Sequence, residues 1–424
     1  MRRIILRREF RKDHHPRARA LNLPSYGNWT NEGWNLHIHG NIFAQPEGMD
    51  SKKVDTWANR IMLFGANIRK MPAEEQELAQ NMTKEFLTVP MANHSVFGMD
   101  VTGPGPAGER RMYPMPPTIN TGDFDGWLPL EDMSQLQRGD DPSASVQKVS
   151  IGVHKVTDAN STGFLVPRHG LTVVSDVDDI LRVAQIWRWR HLLVDAISKE
   201  FVPWMDMPEI FKNMEVSIPD VHFHYLTIPP EFLTRKYLGF LRAHYPVGSL
   251  DTYPMDLGNP RSLFHPRRFL LDRFFETFPN RKVILVGDNS NTDLMRHYPA
   301  ILKKHSDQVQ CILMRNTLLT ERTDWFKHSP RHFRDLPKHK IMWFKTPSDL
   351  KNIDFANGGC VNPKITDAKP DESGSFVSQG IKVLVWELLC RYTRAEFFGC
   401  PVEHKGNSAG SSVNITLANV SIVH

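Results

Sequence analysis

The chain has 424 residues, 40% of them hydrophobic and 23% charged, with a formal net charge of +5. That composition belongs to a globular protein long enough for two domains plus tails, not to a disordered or fibrous chain. The mild basic excess is compatible with anionic lipid or a phosphate ester and gives no reason to expect a nucleic-acid partner, and no apolar run approaches the length of a membrane span.

The first residues, Met1–Ala20, are basic and lack an apolar stretch, so they do not read as a signal peptide. This favours a cytoplasmic protein. Six Asn-x-Ser/Thr sequons, at Asn28, Asn81, Asn93, Asn160, Asn414 and Asn419, keep a secreted chain with a missing upstream signal as the alternative. Residues 24–165 look β-rich and irregular. Trp34–His39 and Lys148–Val156 alternate as strands do, and Ala73–Phe86 reads as a helix. Between them the Pro/Gly-rich stretch Gly103–Trp127 reads as a long loop.

From about residue 166 to 362 strands and helices alternate. Leu171–Val174, Val221–Leu226, Lys282–Val286, Val309–Met314 and Ile341–Phe344 are apolar strands. Pro230–His244, Arg267–Phe278 and Thr292–Lys304 have one-sided apolar spacing and read as helices. This order predicts an α/β, doubly wound, mostly parallel sheet preceded by a β-rich accessory domain. Residues 1–23 form a basic segment, and 363–424 read as a disordered or atypical tail. The four cysteines (Cys311, Cys360, Cys390, Cys400) have no CxxC spacing, so neither a zinc site nor a disulfide framework is expected.

Two strand ends carry the chemistry. Leu171–Ser175 runs into Asp176, Asp178 and Asp179, and Lys282–Val286 runs into Gly287, Asp288 and Asp293. Open α/β sheets place ligands at the C-terminal ends of their strands. The second loop is not a calcium-binding hand, since its sixth position is not Gly and Pro299 stands where the bidentate Glu belongs. Acids gathered from two strand tips repel one another unless a cation sits between them, and hard oxygen ligands with room for water favour Mg2+. A carboxylate beside Mg2+ can attack phosphorus while a second carboxylate moves the proton.

Other signals are weaker. Gly103–Gly108 matches GxGxxG only formally, because prolines fill it and no helix follows. Gly406–Gly410 matches GxSxG without the strand and helix that motif needs. His37 with His39, and His222 with His224, share strand faces without a third metal ligand and read as structural. Ile186–Phe201 mixes Trp187, Trp189, Arg188 and Arg190 with leucines and could rest at a lipid interface or simply cover the sheet.

Taken in order, SDVDDI, FHYLT, FP-x-RKVILVGD and DLKNIDFANGGCVN resemble the actin-patch phosphatidate phosphatase family, a fungal-type group with a haloacid dehalogenase-like catalytic domain. The earlier SYG, EGW and IHG segments are similar to that family's accessory domain. The resemblance spans residues 24 to 362. It implies hydrolysis of phosphatidate to diacylglycerol and phosphate at a membrane surface, with cortical actin-patch proteins as partners. A soluble phosphate ester, or a non-catalytic module at cortical actin, are the alternatives. By that resemblance Asp176 is the nucleophile and a Mg2+ ligand. Asp178 is the acid and base and binds Mg2+ through its backbone carbonyl. Thr227 holds a phosphoryl oxygen, and Asp288 and Asp293 complete the metal site. The family's Lys is replaced by Arg267 or Arg268, and its usual Thr by Ile180. The first exchange sets a planar fork where a compact ammonium stood.

Overall fold

The computed structural model describes residues 18–44, 50–63, 67–91, 97–105, 108–131, 133–156, 159–184, 189–252, 266–320 and 330–370. The expectations for residues 1–17, for Trp187 and Arg188, and for the tail from 371 onward, with its GxSxG match, lie outside the described residues.

Ala18–Asn22 (β1), Ser25–Thr30 (β2), Gly33–Ala44 (β3), Val89–Pro90 (β4), Gly98–Thr102 (β5), Arg110–Pro114 (β6), Asp123–Pro129 (β7), Gln147–Val153 (β8) and Asn160–Val166 (β9) form the first sheet. Its order is β1-β3-β2-β9-β8-β5-β6, with β4 and β7 also on β3. The pairings are antiparallel except β2 with β9. Trp34, Leu36, Ile38 and Ile42 of β3 alternate into one core with Met99, Val101, Phe124, Leu128, Val149 and Ile151. Tyr26, Phe164 and Val166 belong instead to the core beneath the second sheet. Two helices, Ser51–Trp57 (α1) and Ala73–Phe86 (α2), branch from this region.

The long loop expected over Gly103–Trp127 is corrected here, because β6 and the start of β7 lie inside it. In β6 Arg110, Arg111, Met112 and Pro114 face solvent at the sheet edge, where Pro is tolerated and no apolar alternation is needed. The described glycines of the GxGxxG match, Gly103, Gly105 and Gly108, lie between β5 and β6, where Gly108 N–H donates to the Gly105 carbonyl (3.2 Å).

The second sheet is wholly parallel, with Leu171–Ser175 (β10), His222–Leu226 (β11), Ser249–Asp251 (β12), Lys282–Asp288 (β13), Val309–Arg315 (β14) and Ile341–Phe344 (β15) in the order β12-β11-β10-β13-β14-β15. Parallel strands need crossovers, and helices supply them. The helices are Trp189–Ser198 (α3), Met207–Ser217 (α4), Thr234–His244 (α5), Pro266–Thr277 (α6) and Thr292–Lys304 (α7). Val173, Ile284 and Val286 meet Ile210, Phe211 and Leu241 on one face, while Val174, Val283 and Leu285 meet Leu271, Phe274, Leu294 and Ile301 on the other. This double burial explains why the strands read as continuous apolar runs. Strand order reverses direction between β10 and β13, the place where open α/β sheets open a crevice.

A second correction concerns the cysteines. Cys311 of β14 and Cys360 are disulfide-bonded, with Cα atoms 5.5 Å apart across 49 residues of sequence. Spacing gave no sign of the pair because the fold, not a local motif, returns the chain to β14.

Candidate active site

Register puts the two acidic tips side by side. Ser175 pairs with Val286, and the Asp176 amide donates to the Val286 carbonyl at 3.0 Å, extending the ladder by one residue. Asp176 and Asp288 thus end adjacent strands. Gly287 lies close against α7, where a Cβ would stand 2.7 Å from Leu294 Cδ1 and the leucine would have to give way. Asp179 follows in the left-handed region, at φ 56°, and its Oδ1 accepts from the Ala184 amide (3.1 Å).

Asp176 is buried. Its Oδ1 accepts from the Val177 amide at 2.9 Å and pairs with Arg267 Nη1 at 2.8 Å, and Asn291 Nδ2 reaches Oδ2 at 3.4 Å. Burial raises its pKa and the neighbouring Asp178 adds to this, with Arg267 opposing. Asp288 is more strained. The Ser290 amide (2.7 Å) and hydroxyl both donate to its Oδ1, but its Oδ2 is buried with no hydrogen-bond partner. Burial, then the charges of Asp179 and Asp176, push its pKa up to about 8.

Asp178 is held from the other side. Arg182 Nε lies 2.6 Å and Tyr237 Oη 2.8 Å from its Oδ1, and Thr227 Oγ1 lies 3.4 Å from Oδ2. Arg182 itself packs against two rings, with its guanidinium carbon 3.9 Å from the Phe201 ring centre and 5.0 Å from that of Tyr237. Asp293 sits in the first turn of α7, its amide capped by Asn291 Oδ1 at 3.0 Å, and its charge acts on Arg267.

Of the residues singled out from sequence, the structure gathers Asp176, Asp178, Thr227, Arg267, Asp288 and Asp293 around the β10–β13 crevice. It does not bring Arg268 there. One residue further along α6, that side chain is mostly exposed and pairs with Asp272 at 3.5 Å. A single step rotates a helical side chain by about 100°, so only one of the two arginines can face the sheet. Ile180 is fully buried in the core.

Sequence reasoning missed Asn291, Arg182, Tyr237 and Arg315. Asp179 was read in the DVDD run beside Asp176 and Asp178 but was assigned no part in the site. Arg315, buried at the end of β14, donates to the Asp179 carbonyl and to Thr320 Oγ1 (3.0 Å), and nothing local in sequence announces that.

Paired carboxylates at the tips of two parallel strands, one of them beside a buried guanidinium, are equipment for attacking and stabilising a phosphate ester. Comparison with known proteins agrees. Residues 171–316 match the family model described as Phosphatidate phosphatase APP1, catalytic domain. Through this segment the chain is similar to the catalytic domain of the APP1 phosphatidate phosphatases, and the match supports an enzyme, a phosphoric monoester hydrolase. No curated protein matches the chain. Among solved structures, a ferredoxin-NADP+ reductase from Plasmodium falciparum with 2'P-AMP is 10% identical, covers 70% of this chain and 96% of its own, and reaches a TM-score of 0.15. A point mutant of that reductase is 8% identical, with the same coverage and a TM-score of 0.14. Likeness at that level carries no argument. Among the described residues no helix is long and apolar enough to cross a membrane.

Proposed function

We propose that the chain is a Mg2+-dependent phosphatidate phosphatase of the haloacid dehalogenase type, acting through an aspartyl-phosphate on Asp176. In this reading residues 24–165 are the accessory domain and 166–362 the phosphatase domain. The single observation that carries it is the buried, partnerless Asp288 Oδ2 beside Asp176 and Asp179. Carboxylates crowded in this way call for a cation. Among the described residues no three His, Cys, Asp or Glu side chains are grouped to hold a metal by themselves. The donors on offer are Asp176, Asp288, Asp293 and the Asp178 carbonyl, with water or substrate oxygens completing the set. Such hard oxygen donors suit Mg2+, which takes carboxylate oxygens and keeps several waters. When bound, Mg2+ would neutralise charge on the phosphoryl oxygens.

The chain's own groups do the rest. An Asp176 oxygen attacks phosphorus, and the bond from phosphorus to the glycerol oxygen breaks. Asp178, arriving protonated, gives its proton to that oxygen, and diacylglycerol leaves. Asp178 then takes a proton from water, the water oxygen attacks phosphorus, and the bond to Asp176 breaks to release phosphate. One carboxylate serves as acid and then base. Arg267 holds the attacking carboxylate and balances the phosphorylated one, and the Thr227 hydroxyl donates to a phosphoryl oxygen. The reading carries a peripheral, cytoplasmic place at a membrane, at cortical actin patches in the manner of the family. Phosphate release from phosphatidate in mixed micelles, with and without Mg2+, tests it against Asp176→Asn. Release confined to the wild type with Mg2+ is expected. Equal release in both proteins, or none in either, overturns it.

A further inference from the structure

Outside the crevice, two more acids share one arginine. Arg273 of α6 reaches Asp125 Oδ2 of β7 with Nη1 (3.2 Å) and Asp251 Oδ1 at the tip of β12 with Nη2 (3.0 Å). The other oxygen of Asp251 accepts from Tyr26 Oη of β2 at 3.2 Å and lies 3.7 Å from His224 Nε2. The other oxygen of Asp125 pairs with His37 Nε2 of β3 at 3.0 Å. The cluster therefore ties three strands of the antiparallel sheet to the edge strand of the parallel one. A backbone bond reinforces the tie, from Leu250 N–H to the Pro24 carbonyl at 2.8 Å.

The far side of Asp251 faces the active site. Its main-chain carbonyl accepts from the Thr227 amide at 3.2 Å, and the Thr227 hydroxyl is the group that touches Asp178. β12 is only three residues long and has one ladder partner, β11. So short an edge strand has little of its own to fix where its tip lies. The carboxylate clamp helps to fix it: Asp251 is buried, and both oxygens of Asp251 and of the partly exposed Asp125 have partners.

We propose that Asp251 and Arg273 are positioning residues through which the antiparallel sheet sets the place of Thr227 in the active site. The inference rests on the reading of Thr227 as the donor to the phosphoryl group. It gives the antiparallel sheet a part in catalysis although none of its side chains touches the reacting atoms.

Asp125→Asn is the mildest way to loosen the clamp, because Asp125 is 44% exposed and the change keeps its shape. The relay predicts a kcat for phosphatidate lowered by about three- to tenfold with KM unchanged, the mark of an interaction realised in the transition state. It also predicts that the loss vanishes when Asp125→Asn is made in a Thr227→Val background, as coupled residues require. Asp100→Asn, which opens a comparable ion pair elsewhere on the same sheet, leaves kcat unchanged. Unchanged kcat in Asp125→Asn, or equal losses in both backgrounds, overturns the relay. The Thr227 methyl resonance supplies a readout independent of turnover. If even the wild type releases no phosphate, the functional reading has failed. A shift of that resonance in Asp125→Asn but not in Asp100→Asn still sustains the positioning link, and no shift in either rejects it.

Discussion

Two groups of acids, each with a buried member, lie about the parallel sheet, and they meet the cost of burial in opposite ways. At the junction with the antiparallel sheet, both oxygens of Asp125 and both of Asp251 have partners. Burial works against the Asp251 carboxylate, yet Arg273 and the histidines hold its pKa below the ordinary carboxylate value. At the tips of β10 and β13, Asp288 is equally buried but keeps one oxygen unpartnered, and its pKa rises to about 8. Burial alone therefore does not decide the state of an acid; the neighbouring cation or donor does. A satisfied cluster holds structure, whereas an unsatisfied one in a crevice is a candidate for chemistry.

Substitutions sharpen the contrast most at Asp176, the proposed nucleophile. Asp176→Asn is expected to lower phosphate release by at least ~10⁴-fold, because it removes a group that acts as a unit with its neighbours. Asp178→Asn should cost about 10²- to 10⁴-fold, the usual worth of a positioned acid and base, while leaving Mg2+ binding by titration calorimetry largely intact. Lost metal binding in Asp178→Asn would contradict a role limited to its backbone carbonyl.

The satisfied cluster should answer in stability. Arg273→Met leaves the Asp251 carboxylate buried without its cation, and such breaks cost roughly 3–5 kcal/mol. Chemical denaturation measures it, and a loss below about 1 kcal/mol would mean that the pair is idle.

A pH series comes next. Burial lowers the pKa of His224 to about 4 and that of His222 well below its usual value. In the unfolded chain these rings titrate near 6.5. Between pH 6.5 and about 4 the unfolded state therefore binds more protons, so stability is full above pH 6.5 and falls as pH drops. For His224 alone the loss from pH 7 to pH 5 is about 2 kcal/mol. His224→Gln should flatten the slope of denaturation free energy against pH, and an unchanged slope would remove this histidine from the account.

The smallest expected effect has the opposite sign. Asp288→Asn removes a buried acid with an empty-handed oxygen, so the metal-free protein should gain about 1 kcal/mol while activity is lost. Mg2+ should raise the melting temperature of the wild type and not that of the variant. A destabilised Asp288→Asn protein would show that the carboxylate is as well satisfied as Asp251.

How much of this was legible in the sequence follows from the range of the interactions. Leu171–Asp179 and Lys282–Asp293 each hold a strand and its acids within a dozen residues, and both were readable as they stand. Arg267 and Arg268 were equivalent in sequence, and only the rotation of α6 separates them. β6 was hidden because an edge strand needs no apolar alternation. The clamp was invisible for a different reason. Asp125 and Arg273 are 148 residues apart, and Tyr26 and Asp251 are 225 apart, so no local pattern links them. His37 and His39 were read as structural for lack of a third ligand, but nothing in WNLHIH foretold that His37 would meet Asp125.

The amide of Asp176 donates to Val286 as one more rung of the β10–β13 ladder. Asp176, the proposed nucleophile, therefore belongs to the most protected fabric of the molecule rather than to a loop. Its amide hydrogen should be among the last to exchange with deuterated solvent, released only when the whole sheet opens. Loops around the crevice can then diversify to suit new leaving groups, while the spacing between Asp176 and Asp288 stays fixed by the hydrogen-bond repeat itself.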